Sequence, residues 1–476
     1  MIAAFIVYQQ GTLVQSYRPI TQSTAHQLQQ IAVHLQDHMN LYGYQLIETP
    51  IIEDADLFLT KAGDTIAEQL FTFERYGHVL ALRPEFTAAA ARMYARNHAA
   101  GKVVRWQFSG PIFVDNPQQS GRSQYQQNSA GAELIGMAGP AADAEITGMA
   151  VNGLNDYDLR DWTLLLGHVG LTRRLLARYE LDERTQRFIL NHRHLLRNGD
   201  AGRDKLFQQM AAYFPHDYRN RADDSQMTQD NTQQVLDTLL DSSRGAQTMG
   251  GRSREDIARR LLRKRQQAAQ QAQIEEAVYF LQGWMNIRSS AEWALDEIEN
   301  HIGNDGIAQT IYSEWRESLT LLDAYQISFD NIVIQPDLAR NWDYYTGMIF
   351  ELRTDSGALL AGGGRYDDLT RLLGAEEMTP AVGFAYDLDH IVEALTTPRP
   401  APPRLIYLAE NIETCVPAAH WAHMLRQRGV AIALVDQAPA NAAVTLTVED
   451  DGRARLGNRT YAFDEIELLV TTLNGR

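Results

Sequence analysis

Two short segments of the chain concentrate side chains that could bind a small polar molecule. Residues 82–88 read LRPEFTA, and residues 340–345 read RNWDYY. A carboxylate beside a hydroxyl can hold an ammonium group, and aromatic side chains with polar tips can line a small-molecule pocket. The alternatives are a solvated or ion-paired sheet face for the first segment and an aromatic core cluster with a surface ion pair for the second.

A third segment, residues 361–367, reads AGGGRYD. Consecutive glycines let a backbone approach a ligand closely, although the same run also suits a bulge or a tight turn. Its spacing does not match a phosphate-binding loop. In the first segment, we predict that Arg83, Glu85 and Thr87 continue the strand that includes residues 79–82 and therefore share one face of it.

Strand and helix patterns alternate around these segments. Apolar spacing predicts a helix over residues 23–42, ended by Gly43, and then a strand over residues 45–52 in which Pro50 marks an edge or a break. A hairpin is predicted around the turn at residues 76–78. Further strands are predicted at residues 103–108, 112–114, 132–135, 331–334 and 348–352. These patterns favour an α+β fold, with an antiparallel sheet flanked by helices.

Changes in composition predict the domain organisation. The predicted domains are a core in two parts, residues 19–202 and 325–395, a helical insertion at residues 203–324, and a small α/β domain at residues 404–476. The insertion is polar, and Ser253 is a candidate cap for a helix over residues 256–280. A proline-rich stretch at residues 396–403 is expected to be a stiff linker, followed by a β-α-β pattern.

Composition also bounds the class of protein. The formal net charge of −17 disfavours non-specific binding to nucleic acid or anionic membranes. The single cysteine, Cys415, allows no internal disulfide and no cysteine-based metal cluster, so we predict no metal site. No apolar run is long enough to span a bilayer. We therefore expect a cytoplasmic protein.

Together and in this order, the three segments resemble the amino-acid pocket of histidyl-tRNA synthetase. Residues 82–88 are similar to that family's LRPEGTA segment, residues 340–345 to its histidine-specific RGLDYY motif, and residues 363–366 to its second histidine motif. The resemblance covers residues 19–195 and 325–395. It implies a class II aminoacyl-tRNA synthetase-like fold.

The resemblance also implies a set of histidine ligands. They are Glu85, Thr87, Glu133, Arg340, Tyr345 and Tyr366. The first two would hold the α-amino group, and Arg340 would contact the carboxylate and phosphate region. The remaining three would line the imidazole side.

Two positions depart from the synthetase motifs. Where the family carries arginines that grip ATP phosphates, this chain has Val114 and His390. Valine cannot form paired hydrogen bonds to phosphate, and a neutral histidine is a poor substitute. Losing one such clamp typically costs several kcal/mol of transition-state stabilisation, roughly a hundredfold in rate. We therefore predict no adenylation and no catalytic residues. A glutamine expected near the ligand side chain has two candidate replacements, Gln127 and Ser129.

A synthetase-like core without this clamp resembles the regulatory subunit of ATP phosphoribosyltransferase, a paralogue of the synthetase. Residues 131–136 and 164–171 are closer to that family. The resemblance implies a non-catalytic protein that needs no cofactor, binds histidine as an effector and controls the first step of histidine biosynthesis. The alternatives are a histidyl-tRNA synthetase (histidine–tRNA ligase) and a specialised synthetase-like ligase.

The resemblance also indicates the partners. The regulatory subunit pairs with a short-form ATP phosphoribosyltransferase catalytic subunit. Class II cores usually associate through the segment corresponding to residues 28–52, so we expect a homodimer or larger assembly. Residues 404–476 contain more carboxylates than arginines and no lysine, which disfavours nucleic acid as a partner.

Overall fold

The computed structural model describes most of the chain. The described residues are 22–60, 64–97, 101–115, 125–213, 271–338, 340, 342–395, 406–409, 414–440 and 442–474. Contacts divide the chain into two compact units, the larger with residues 30–394 and the smaller with residues 20–29 and 395–476. The predicted linker at residues 396–403 and the predicted helix cap Ser253 lie outside the described residues.

The bounds of the elements from α1 to β12 are as follows. The strands are β1 (Gln45–Leu46), β2 (Ile52–Asp54), β3 (Thr72–Arg75), β4 (His78–Leu82), β5 (Val104–Phe113), β6 (Gln126–Ile135), β7 (Thr163–His168), β8 (Ser289–Ser290), β9 (Ile332–Ile334), β10 (Met348–Arg353), β11 (Leu359–Arg365) and β12 (Ala381–Asp387). The helices are α1 (Gln22–Leu41), α2 (Ala55–Leu59), α3 (Asp64–Gln69), α4 (Thr87–Asn97), α5 (Pro140–Asp156), α6 (Val169–Leu176), α7 (Glu183–His192), α8 (Gly199–Tyr213), α9 (271–285), α10 (Ala291–Ile302), α11 (Gly306–Ala324), α12 (Leu369–Leu372) and α13 (Leu388–Ala394).

Nine of the described strands form one central sheet in the order β1-β5-β6-β12-β11-β10-β7-β9-β8. The strands from β5 to β7 in this order pair antiparallel, whereas β1 pairs parallel with β5 and β9 pairs parallel with β7. The predicted α+β fold with a sheet flanked by helices is confirmed. The sheet is mixed near its edges rather than antiparallel throughout.

The pairing register defines the two faces of this sheet. Glu133 on β6 pairs with Gly383 on β12, which pairs with Gly364 on β11, so these three residues share one face. The opposite face is covered by α5, because the hydroxyl of Tyr386 donates to the carbonyl oxygen of Ala150 at 2.9 Å. The face with Glu133 is therefore the one available for a ligand site.

Several predicted elements are confirmed with changed bounds. Helix α1 ends at Leu41, and Gly43 has a φ of 82°, as its stop signal predicts. The hairpin forms from β3 and β4, and Tyr76 and Gly77 both have positive φ in its two-residue turn. The break at Pro50 divides the predicted strand into β1, in the central sheet, and β2, in a separate sheet of order β2-β4-β3.

The strands predicted at residues 103–108 and 112–114 are one continuous strand, β5. The polar loop predicted for residues 115–130 is shorter than expected, because β6 begins at Gln126. Ten residues of β5 pair with ten of β6. This long ladder satisfies backbone groups that a loop would leave to water, which is why polar side chains here do not prevent strand formation.

The smaller unit has its own sheet and core. Its strands are β13 (Ile406–Ala409), β14 (Ile432–Val435), β15 (Thr445–Val448), β16 (Ala454–Leu456) and β17 (Arg459–Tyr461), and its helices are α14 (Cys415–Gln427) and α15 (Ile466–Asn474). The sheet order is β14-β13-β15-β16-β17. β13 and β14 pair in parallel across α14, which confirms the predicted β-α-β unit. Buried Trp421 anchors the core and donates to the carbonyl oxygen of Gly452 at 2.9 Å.

None of the helices in the described ranges is long and apolar enough to cross a membrane.

Candidate functional site

Glu133 is the centre of a polar cluster on the open face of the central sheet. Its side chain is fully buried. Its Oε1 accepts a hydrogen bond from Thr87 Oγ1 at 2.6 Å, and its Oε2 accepts one from the hydroxyl of Tyr366. Thr87 begins α4 and Tyr366 follows β11, so elements far apart in sequence meet at one carboxylate.

Glu85 supplies a second carboxylate beside the first. Its Oε1 accepts a hydrogen bond from the amide of Ala88 at 2.8 Å and so caps the first turn of α4. Its Oε2 is buried and has no hydrogen-bond partner among the described residues. A buried acceptor without a partner is costly. This oxygen is therefore well placed to accept a hydrogen bond from a bound ammonium group.

The prediction that Arg83, Glu85 and Thr87 share one face of a strand is wrong. Strand β4 ends at Leu82, and Thr87 already begins a helix. Pro84 lacks the backbone N–H that a continued ladder would need. The first helical turn, rather than strand alternation, brings Glu85 and Thr87 to the same cluster.

Arg83 has a supporting role behind this cluster. Its Nη1 donates to the carbonyl oxygen of Thr49 at 2.7 Å, and its Nε donates to that of Pro111 at 2.8 Å. Its guanidinium also lies over the ring of Phe86, 4.2 Å from the ring centroid. Arg83 therefore joins three neighbouring segments and does not face the ligand side of Glu133.

Burial changes the acidity of both carboxyl groups. Burial away from solvent raises the pKa of Glu85 to about 7, although hydrogen bonds from Ala88 and Thr87 act in the opposite direction. Burial, with a smaller contribution from the nearby charge of Glu85, raises the pKa of Glu133 to about 8. Both carboxyl groups therefore bind protons near neutral pH more readily than exposed glutamates do, and a bound cation would favour proton release.

Three tyrosines form the wall beside the two carboxylates. The ring centroid of Tyr344 lies 4.8 Å from that of Tyr345 and 5.7 Å from that of Tyr366. Tyr345 is buried, and the guanidinium of Arg173 donates to its carbonyl oxygen at 2.9 Å, which holds this segment in place. The structure thus brings Tyr345 and Tyr366 to the same buried cluster as Glu85 and Glu133.

Two glycines in strands of the central sheet make room for charged side chains that lie over them. A Cβ atom at Gly383 would overlap the carboxylate of Glu133, and one at Gly362 would overlap the guanidinium of Arg340. Gly362 of the glycine run and Gly383 on β12 therefore let two long polar side chains lie across adjacent strands.

Arg340 lies over the next part of the same face. Its Nη1 is 3.2 Å from Glu351 Oε1, and Glu351 Oε2 accepts a second hydrogen bond from Arg353 Nε at 2.8 Å. The Nε of Arg340 is buried and has no partner in the described part of the chain. Sequence reasoning missed Glu351, although alternation along β10 places it on the open face with Gly362.

The two candidates for the ligand-side glutamine position differ in the structure. Gln127 and Ser129 alternate with Glu133 along β6, so all three share the open face. The hydroxyl of Ser129 is buried and donates to the carbonyl oxygen of Tyr386 at 3.1 Å. Ser129 is thus engaged with the backbone, and Gln127 is the longer and less buried of the two side chains.

Comparison with known proteins shows the family. The sequence model described as histidyl-tRNA synthetase matches residues 17–212 and 231–391. The chain belongs to the histidyl-tRNA synthetase family. The histidine–tRNA ligase of Methanococcus vannielii is 27% identical over 364 residues, which are 75% of this chain and 70% of that protein. The histidine–tRNA ligase of Synechocystis sp. is 29% identical over 406 residues, 82% of this chain and 72% of that protein.

Solved structures are similar over nearly the whole chain. An ATP phosphoribosyltransferase regulatory subunit/histidyl-tRNA synthetase from Bacillus halodurans has a TM-score of 0.62 at 21% identity, covering 93% of this chain and 96% of its own. Apo histidyl-tRNA synthetase of S. aureus has a TM-score of 0.57 at 18% identity, covering 96% of this chain and 99% of its own. At these identities the likeness shows a shared fold.

The end of the site that would face ATP phosphates in this family has a different character. Val114, directly after β5, offers only an aliphatic side chain. His390 Nδ1 lies 2.6 Å from Asp387 Oδ2, and Asp389 accepts a hydrogen bond from the amide of Asn128 at 2.7 Å. Two aspartates therefore lie within three residues of His390, and their negative charge disfavours a polyphosphate at this end.

Proposed function

We propose that this chain is a non-catalytic regulatory subunit of ATP phosphoribosyltransferase that binds histidine and controls the first step of histidine biosynthesis. The observation that supports the proposal is a difference between the two ends of one site. The amino-acid end has Glu85 and Glu133 in a buried cluster, whereas Val114 and His390 occupy the positions of the phosphate-gripping arginines. A site of this kind can bind the amino acid without activating it.

In this proposal each of the six predicted residues contacts the effector. Glu85 and Thr87 hold the ammonium group, Glu133 and the tyrosines at 345 and 366 face the imidazole, and Arg340 holds the carboxylate. The buried Nε of Arg340 supports the last role, because a carboxylate would satisfy a donor that otherwise has no partner in the described chain.

The proposed partner is a short-form catalytic subunit, and the proposed assembly includes at least a homodimer. Apolar side chains exposed at the end of α1 and along β1 and β2 support self-association. They are Leu41, Leu46, Ile51 and Ile52, exposed by 85%, 61%, 45% and 49%. Four exposed large apolar side chains within twelve residues of sequence are consistent with an interface in this segment. A cytoplasmic location follows from the pathway.

The second candidate is a histidine–tRNA ligase, which the names of the curated relatives favour. That function needs histidine and ATP bound together and histidine-dependent exchange of pyrophosphate into ATP. Calorimetric titration with histidine and then with ATP separates the two. We expect histidine to bind and ATP to give no detectable heat, with no exchange under conditions where a control synthetase is active.

Coupling to the partner is tested by adding the purified short-form catalytic subunit. We expect its ATP phosphoribosyltransferase activity to change with histidine only when this chain is present, since an effector acts through different affinities for two states of a complex. Exchange activity in the first experiment, or an unchanged response in the second, would reject the regulatory function.

A further inference from the structure

A second polar cleft lies on the other side of the central sheet from Glu133. It has a volume of about 740 Å³ and lies among the ends of α1, α5 and α11. Since α5 covers the face opposite to the amino-acid pocket, the two sites are separate. Its lining includes His38, Tyr42, Asn155, Asp156, Trp162 and Tyr325.

The three helices that border the cleft end in the same way. The second residue after each end is left-handed, with φ of 82° at Gly43, 60° at Asp158 and 61° at Gln326. In each case the next amide donates to the carbonyl five residues earlier, at 3.2, 3.0 and 3.2 Å. Three helices therefore present their carboxyl ends to one cavity, although only the first has the glycine that this cap favours.

This arrangement makes the cleft electronegative. Each helix carries about half a negative charge at its carboxyl end. Asp156 adds a carboxylate, which lies 2.8 Å from His38 Nδ1 and remains 56% exposed. Burial, and then the charge of Glu145, raise the pKa of Tyr325, while Arg105 acts in the opposite direction. Arg160 also lines the cleft as an exposed side chain and offsets the charge of Asp156, so the negative partial charges of the three helix ends remain.

Aromatic faces complete the lining. Tyr42, Tyr325 and Trp162 border the same space, and Trp162 is oriented by a hydrogen bond from its Nε1 to Asn155 Oδ1 at 3.1 Å. The amide of Asn152 donates to the carbonyl oxygen of Tyr325 at 3.1 Å and holds α11 against α5. Aromatic rings beside negative charge favour a cation with some apolar surface.

We propose that this cleft binds an alkylammonium or guanidinium group. The group can belong to a free small amine or to a lysine or arginine side chain of another protein chain, because the chemistry that recognises it is the same. The proposal does not depend on histidine binding at Glu133.

The test is calorimetric titration of the full chain with agmatine, which carries both kinds of cation, and with acetyl-arginine-amide. We expect agmatine to bind, and to bind more weakly as salt concentration rises. Asp156→Asn should weaken binding at least fivefold. Asp158→Asn is the matched control, because it removes an equal charge two residues away, does not line the cleft and keeps a residue type that tolerates positive φ.

Each outcome separates the possibilities. Comparable binding of the capped arginine identifies a side chain of another chain as the source, whereas binding of agmatine alone identifies a free amine. Absence of binding by both probes at 10 mM, or equal effects of the two aspartate variants, would overturn the proposal. Histidine titration of both variants should be unchanged, so this result is independent of the proposed function.

Discussion

The two ends of the site on the open face of the sheet use their charged groups differently. At the amino-acid end, Glu133 is held by two hydroxyls and Glu85 keeps a buried oxygen without a partner among the described residues. At the phosphate end, Asp387 lies beside His390, and Asp389 accepts a hydrogen bond from β6. The first end keeps a buried carboxylate oxygen that could accept a hydrogen bond from a cation, whereas the second places two aspartates beside His390.

This difference suggests a separation between the proposed amino-acid recognition and phosphate binding on one class II sheet. The proposed recognition residues come from α4, β6 and the segments beside β10 and β11, and the positions proposed for phosphate come from the end of β5 and from α13. The backbone bond from Phe113 to Arg83 joins the two ends, so their independence has to be tested by substitution. The predictions below test that separation.

The largest effect is expected from Glu85. Glu85→Gln keeps an oxygen for the Ala88 amide but removes the charge that pairs with the ammonium, and we expect histidine affinity to fall at least a hundredfold, about 3 kcal/mol. Glu85→Ala should abolish detectable binding. Calorimetry measures both, with exposed Glu74→Gln as the matched control. Unchanged affinity in Glu85→Ala would show that the pocket lies elsewhere.

A pH dependence of roughly tenfold per unit is the next effect. Burial raises the pKa of Glu85 to about 7 and that of Glu133 to about 8, so without a bound cation each carboxyl group gains a proton as the pH falls through its value. A bound ammonium favours the ionised carboxylates, so histidine affinity should fall as pH falls from 8 to 6.

Free histidine titrates in the same range, so the protons released on binding must be counted directly. Calorimetry in two buffers of different ionisation enthalpy gives this number. When the Glu85→Gln variant binds histidine at high concentration, it should release fewer protons than the unmodified chain does. Equal proton release in the two proteins would contradict the assignment of the linkage to Glu85.

A smaller effect is expected at Tyr345. Tyr345→Phe removes one neutral hydroxyl from the pocket wall and should weaken histidine binding by about 1 kcal/mol, close to fivefold. The thermal midpoint of the variant, compared with that of the unmodified chain, controls for packing of the buried ring. A loss as large as that in Glu85→Ala would mean that the hydroxyl has a role beyond one hydrogen bond.

The smallest effect is expected at the phosphate end. Val114→Arg combined with His390→Arg should leave histidine affinity unchanged and should not produce histidine-dependent pyrophosphate exchange, because the carboxylates at 387 and 389 remain. Exchange activity in this double variant would show that the rest of the synthetase site is intact and that the two arginines alone were missing.

Local patterns predicted the local elements. The two-residue turn was readable from Gly77, which accepts positive φ, although Tyr76 also adopts a positive φ that is uncommon for tyrosine. The β-α-β unit of the smaller domain follows from apolar runs of strand length around a helical spacing. The same reasoning was wrong after Leu82, where Pro84 and the cap formed by Glu85 begin a helix. There, a hydrogen bond between a side chain and the backbone outweighed the strand pattern.

The site could be located from the sequence only through its resemblance to a family. Periodicity gives no reason to join Glu133 to Tyr366, which lies 233 residues away, or to place Glu351 beside Arg340. Strand order decides these contacts, because β6, β12, β11 and β10 become neighbours only when the sheet forms. The cleft between α1, α5 and α11 had no sequence signal, since its helix ends belong to three distant segments.

The sequence by itself determined the residue types at both ends of the site, including Val114 and His390 in place of arginines. It also determined the local elements, because capping, turn conformation and apolar spacing act over a few residues. Only the tertiary structure decided which carboxylates are buried, and therefore which pKa values rise. Desolvation depends on everything packed around a group, and those neighbours come from the whole chain.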